Sequence, residues 1–243
     1  MATPPHRQND AAQEWGGPRR SRRVAVPVGL YKHAVAVFLA ALVLFIIATP
    51  FAQSLADPGL LEGALLTGVL ICGVLAVGGR RDALVLAALL GVPALGAKWF
   101  NHFRPDLISP NISQLLGVML LVVVAYHLLR YILRAPRVDS EVISAAVATY
   151  LVLALIWTLL YVLAASLIPN AFVLSESVSA NKTLDGFSAL YFSFITLCTV
   201  GYGDITPGVP VVRMLAVLEG ITGVLYMSVL IARLVAIYSS DRE

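Results

Sequence analysis

Six apolar stretches, about His33–Phe51, Leu60–Val77, Ala83–Trp99, Leu115–Leu133, Val142–Ile168 and Val211–Tyr238, run between short linkers bounded by charge, proline or glycine. Each reaches or approaches the roughly 20 helical residues that cross a hydrocarbon core about 30 Å thick. Burying all of them in a water-soluble core is excluded by composition. Of the 243 residues 59% are hydrophobic and 13% charged, and the mean hydropathy is +0.85, which leaves too little polar surface to cover a globule. The expected fold class is therefore an all-α membrane protein with six transmembrane helices. The third stretch holds Gly91, Pro93 and Gly96 and is expected to be kinked or partly re-entrant.

Lysine and arginine set the orientation, because cytoplasmic loops retain positive charge. With the N-terminus inside, the cytoplasmic segments collect Arg7, Arg19, Arg20, Arg22, Arg23, Lys32, Arg80, Arg81, Arg130, Arg134, Arg137, Arg233 and Arg242, leaving Lys98, Arg104, Lys182 and Arg213 outside. Both termini are then cytoplasmic in a multi-pass protein of the cell membrane, and residues 169–210 face outward. Ser21-Arg22-Arg23 ahead of an apolar run has the form of an export signal. Cleavage there would leave an odd number of spans, so residues 1–29 are read as a disordered basic cytoplasmic tail whose arginine cluster meets anionic lipid. The net charge of +3 is spread over span ends and implies no nucleic-acid partner. Cys72 and Cys198 both lie in apolar or re-entrant stretches and make no disulfide framework.

Between the last two apolar runs stands Thr199-Val200-Gly201-Tyr202-Gly203-Asp204, preceded by Ser188-Ala189-Leu190-Tyr191-Phe192-Ser193-Phe194-Ile195-Thr196-Leu197-Cys198. The string resembles the selectivity filter of potassium channels of the pore-loop superfamily, and the resemblance covers about Val142–Tyr238. It implies an outer helix at 142–168, a re-entrant pore helix at 188–198 with Ser188 as N-cap, a filter strand at 199–203 and an inner helix at 211–238. It also implies K+ bound by the carbonyl rings of Thr199, Val200, Gly201 and Tyr202, with the Thr199 hydroxyl below them. Gly201 and Gly203 then supply left-handed backbone, while Val200 and Tyr202 point away as packing. One strand cannot encircle an ion, so a chain with one filter assembles as a ring; the family implies a four-fold symmetric homotetramer. Tyr191 and Phe192 occupy places where relatives brace the filter, Thr196 is expected to bond locally, and Asp204 matches an external acidic ring or caps a turn. Cys198 replaces a more usual Thr with a weaker hydrogen-bonding group, which predicts a filter more fragile in low potassium.

In the last run Gly223 lies 19 residues beyond Asp204, where similar channels place an inner-helix glycine. Gly223 and Gly220 are gating-hinge candidates, with close helix packing as the plain alternative. Glu219 is a carboxylate midway along a membrane helix and needs water, a partner or a proton; it faces the cavity or the back of the pore helix, or is a neutral structural group. Arg233 reads as a snorkelling anchor and His127 as an interfacial residue. The fourth run carries only Arg130 and Arg134, at one end, so residues 30–137 are expected to form a four-helix domain without a working voltage sensor, ahead of a pore domain at 138–243. No cofactor is expected beyond the permeant ion. No nucleophile–base set or phosphate-cradling loop appears, so the chain is not read as an enzyme. The last five residues, Ser239–Glu243, are read as leaving no room for a soluble ligand-binding domain. The leading expectation is a potassium-selective channel; the alternative is a non-conducting sensor or regulatory subunit that assembles with another pore protein.

Overall fold

A computed structural model describes residues 28–52, 58–77, 81–103, 110–175 and 184–240. The N-terminal arginine cluster, Arg80, Arg104, Lys182 and the C-terminal residues 241–243 lie outside the described residues.

Each apolar run forms a helix: α1 (Val28–Ala52), α2 (Pro58–Val77), α3 (Arg81–Phe103), α4 (Pro110–Arg134), α5 (Ser140–Leu167) and α7 (Pro210–Ser240), with the shorter α6 (Gly186–Leu197) between the last two. Helices are the natural outcome for such runs, since only internal hydrogen bonds satisfy backbone groups in lipid. Four of them, α1, α4, α5 and α7, are long and apolar enough to cross a membrane. The apolar cores of α2 and α3, Leu60–Ala76 and Val85–Phe100, are shorter. The chain is a multi-pass, almost wholly helical membrane protein.

The third run is one continuous helix through Pro93. Gly91 faces α4 and α2: a Cβ there would make ordinary contact with Leu120 Cδ2 at 3.4 Å and Val74 Cγ2 at 3.6 Å.

Helix α5 is the hinge of the packing. Asp139 caps it, its Oδ1 accepting from the Val142 N–H at 2.9 Å, which starts the helix two residues before the expected boundary. Its buried side packs against α1 and α4 on one hand and α6 and α7 on the other. The principal core joins Phe38, Leu42, Leu120, Leu121, Val142 and Val152. A second, around Tyr161, Phe172 and Phe192, sits beside α6. One addition to the helical design is a two-stranded antiparallel sheet, β1 (Phe172–Leu174) with β2 (Ile205–Pro207), paired Phe172↔Pro207, Val173↔Thr206 and Leu174↔Ile205. It ties the segment after α5 to the segment after the glycine-rich strand.

Helix α7 is the least covered. Val217, Ile221, Val224 and Leu225 are each about half exposed, an open apolar surface.

Candidate functional site

The site is built from α6, the strand 199–203 that leaves it, and the faces of α5 and α7 behind them. Asp185 starts α6, its Oδ1 accepting from the Ser188 N–H at 2.7 Å. The expectation of Ser188 as N-cap is corrected: the helix begins at Gly186, so buried Ser188 is its third residue and supplies one of the orphan donors the cap satisfies. Removing that cap by Asp185→Ala should destabilise the protein by about 0.5–2 kcal/mol. Thermal unfolding in detergent measures it, and Asp185→Ser should keep most of the loss from appearing.

Helix α2 reaches this same terminus. Glu62 of α2 lies against Gly186, where an added Cβ would fall 2.7 Å from its Oε1. A carboxylate is favoured beside a helix N-terminus. It borders a cavity of about 330 Å³ that Lys98, Gln114 and Thr158 also line.

At its other end α6 leaves carbonyls that a helix cannot satisfy itself, and each finds a partner or a close neighbour. Phe194 O accepts from the Cys198 N–H at 3.0 Å and Thr196 O from the Thr199 N–H at 2.9 Å. Ile195 O accepts from both the Val200 and Gly201 N–H groups, at 2.7 and 3.2 Å. Leu197 O receives the Tyr150 hydroxyl at 3.4 Å and lies against the backbone of Gly223, where no Cβ would fit. The N–H groups of Thr199, Val200 and Gly201 are thus turned back onto the helix.

Its backbone alternates accordingly. Thr199, Gly201 and Gly203 have φ of +57°, +55° and +82°. The two glycines take that conformation without the Cβ conflict that makes it costly for other residues, and Thr199 takes it despite one. The Thr199 conformation was not anticipated from its residue type. Val200 and Tyr202 are exposed.

Beyond the strand, Asp204 is fixed at three points. Its Oδ2 accepts from the Tyr191 hydroxyl at 2.8 Å and its Oδ1 from the Ile205 N–H at 3.1 Å, while its carbonyl accepts from the Ser175 N–H at 2.9 Å. The Tyr191 and Tyr202 rings lie parallel, 6.5 Å apart. Phe192 points the other way, edge-on to Tyr161 and Phe172 at 5.0 and 5.4 Å, a geometry aromatic quadrupoles favour. Thr196 contributes the carbonyl just described, and Cys198 Sγ sits 3.4 Å from the Tyr150 hydroxyl.

Glu219 is fully buried. The Tyr161 hydroxyl donates to its Oε2 at 2.6 Å, and Ser193 Oγ lies 2.6 Å from its Oε1 and 2.8 Å from the Ala154 carbonyl oxygen. The carboxyl group therefore faces the back of α6. Two further polar side chains continue down α7. The Tyr226 hydroxyl donates to Ala146 O at 2.7 Å, and Arg233 Nη2 donates to Leu133 O and Ala135 O at 2.9 and 3.4 Å. Arg233 thus caps the end of α4, where a cation is electrostatically favoured, and is more than a snorkelling anchor. His127 bonds through Nδ1 with Val123 O at 2.8 Å.

Sequence reasoning missed Asp185, Tyr161, Ser193 and Glu62. For Tyr161 and Glu62 the available sign was a polar group inside an apolar run; Asp185 and Ser193 lie outside those runs.

A short helix whose terminal carbonyls are taken up by the strand behind it is thus followed by left-handed backbone at every second residue. Residues 143–240 match the family model described as Ion channel. The chain is 34% identical over 101 residues to two-pore potassium channel 4 of Arabidopsis thaliana, covering 42% of this chain and 35% of that one. It is 38% identical over 58 residues to two pore potassium channel c of Oryza sativa subsp. japonica, covering 24% and 13%. It is also 36% identical over 75 residues to protein LctB of Geobacillus stearothermophilus, covering 30% and 54%. The matched segments span less than two thirds of each relative's length, and no solved structure gives a match. Residues 143–240, which run from α5 through α6 and the glycine-rich strand to α7, are thus similar to an ion-channel family.

Proposed function

We propose that the chain is the subunit of a passive, potassium-selective channel. The observation that carries this reading is the strand 199–203. Its N–H groups at Thr199, Val200 and Gly201 are spent on the pore helix, and its φ is positive at Thr199, Gly201 and Gly203. A backbone so turned is free to present consecutive carbonyls to one axis. Four copies around that axis would replace the hydration shell of K+ with carbonyl oxygens of Thr199, Val200, Gly201 and Tyr202 and the Thr199 hydroxyl. The same ring would cover the open apolar surface of α7 and receive Val200 and Tyr202. The names of the relatives, potassium channels among them, support the ion.

In this reading residues 138–243 are the pore domain and residues 30–137 a four-helix domain without voltage sensing, six spans in all. Both termini are cytoplasmic in the cell membrane, with the basic tail on anionic lipid. Asp204 stands at the outer mouth and raises the local cation concentration. Gly220 and Gly223 are the inner-helix glycines at which a gating hinge and close packing are the two alternatives. The chemistry is conduction, and no residue is assigned a catalytic role.

Liposomes loaded with potassium and containing the purified protein test it. Potassium flux should exceed sodium flux, and Gly201→Ala should abolish it. Alanine in the left-handed region costs about 1–2 kcal/mol in each subunit, and its Cβ has open space within the subunit, so the lost function would report on the ring. A folded tetramer without flux under any gradient would favour a non-conducting subunit.

A further inference from the structure

We propose that Glu219 acts in its protonated form as a latch that holds the pore helix between the outer and inner helices, and that removing its proton frees the pore helix and stops conduction. The first half stands on geometry alone. The second rests on the channel reading above.

Hydrogen counting leads to the protonated form. Three oxygen–oxygen contacts run in series: Tyr161 Oη to Glu219 Oε2 at 2.6 Å, Glu219 Oε1 to Ser193 Oγ at 2.6 Å, and Ser193 Oγ to Ala154 O at 2.8 Å. All three have the length of O–H···O hydrogen bonds, so three hydrogens are needed. Tyr161 has one hydroxyl hydrogen, Ser193 has one, and the Ala154 carbonyl has none. The third belongs to the carboxyl group. Every contact is then directional: Tyr161 donates to Oε2, the Glu219 hydroxyl donates to Ser193 Oγ, and Ser193 donates to Ala154 O. With an ionised carboxyl group Ser193 must choose one acceptor, and two oxygens remain pressed together without a hydrogen between them.

The surroundings agree. Glu219 is fully buried, and among the described residues no ammonium or guanidinium group is bonded to it, so a charge there would be uncompensated. Among the described residues no ionisable group around it turns a positive charge toward it. Helix α5 contributes Tyr161 and Tyr150, and the latter is turned to Leu197 O and Cys198 Sγ. Helix α6 contributes Tyr191, which is held by Asp204. On α7, Arg213 is directed to Pro207 O and Gly208 O.

The latch reaches the filter strand through one element. Ser193 lies in α6 two residues before Ile195, whose carbonyl accepts both the Val200 and the Gly201 N–H groups. The same serine is bonded to α5 through Ala154 and to α7 through Glu219. Loss of the carboxyl hydrogen breaks this chain of bonds at its centre and places a charge behind the pore helix. A glutamine at 219 keeps the pattern without the titration, since its NH2 group donates to Ser193 and its oxygen accepts from Tyr161.

Infrared spectroscopy of the full chain in liposomes, from about pH 6 to about pH 10 to span the range over which a buried carboxyl group can titrate, reads the proton directly. Potassium flux is measured on the same samples. The expected result is a protonated-carboxyl band at neutral pH that Glu219→Gln removes and Ser193→Ala displaces without removing. Flux of the unmodified protein should fall reversibly as that band disappears at high pH, whereas the Glu219→Gln protein should conduct equally across the range. Absence of the band at neutral pH overturns the proposal, as does a Glu219→Gln protein that follows the original pH profile. If Glu219→Gln does not fold, a band that fails to move in Ser193→Ala overturns it. The band present with no flux in either protein upholds the latch and overturns the channel reading instead.

Discussion

Replacing Gly223 with alanine should abolish potassium flux and lower the thermal stability of the assembled protein, while Gly220→Ala should leave both nearly unchanged. The two glycines stand three residues apart on α7 and meet different surroundings. A Cβ at Gly223 would overlap the Leu197 carbonyl oxygen and lie 3.1 Å from both Leu197 C and Leu197 Cδ1. Those backbone atoms belong to the last turn of α6, whose position the filter-strand amides share, so they cannot turn aside as a flexible side chain would. Overpacking of this kind typically costs about 1–3 kcal/mol in each subunit, and the displacement falls directly beneath residues 198–201. A Cβ at Gly220 meets nothing within 4 Å, and alanine there gains helix propensity of up to about 1 kcal/mol. The comparison also separates packing from a gating hinge. A hinge whose only need is flexibility predicts that Gly223→Ala leaves a stable tetramer with altered opening; packing predicts that stability and flux fall together.

Much of this arrangement was open to view in the amino-acid pattern, and the reason differs by element. Helices α1 to α5 and α7 follow from apolar length, which depends on neighbours in the chain alone. The strand 199–203 follows from residue types whose backbone preferences are local. Glu219 stood out because a lone acid in an apolar helix is costly, and the polar residues 219, 226 and 233 recur at a seven-residue interval. Two helical turns separate successive members, so they lie nearly in line on one face, and that face is the one fastened to α5, α6 and the end of α4. Their partners could not be read the same way. Tyr161 and Ser193 lie 58 and 26 residues from Glu219, and only the relative register of three helices brings them together. Asp185 was passed over because Ser188 is an equally good capping type; geometry, not residue preference, decides between them. The β1–β2 pair is three residues on each side, too short for alternation to show.

Tyr161 should give the second large effect, and its two substitutions should divide it. Tyr161→Ala removes a fully buried ring packed edge-on against Phe172 and Phe192 at 5.6 and 5.0 Å and beside Trp157 at 6.2 Å. Truncating a buried aromatic to alanine costs about 3–5 kcal/mol through lost contacts and the cavity left behind. Tyr161→Phe keeps that packing and deletes only the donor to Glu219 Oε2, at about 1–3 kcal/mol for a buried acceptor left unsatisfied. Denaturant or thermal unfolding of the purified protein should therefore order the variants with alanine far below phenylalanine, and phenylalanine measurably below tyrosine. Equal losses for the two would mean that the hydroxyl carries the whole effect and the aromatic cluster little. A phenylalanine variant indistinguishable from the unmodified protein would mean that Glu219 is held by Ser193 alone. The ordered result places the load on both: the ring fixes where the outer helix meets the pore helix, and the hydroxyl fixes where the inner helix meets them.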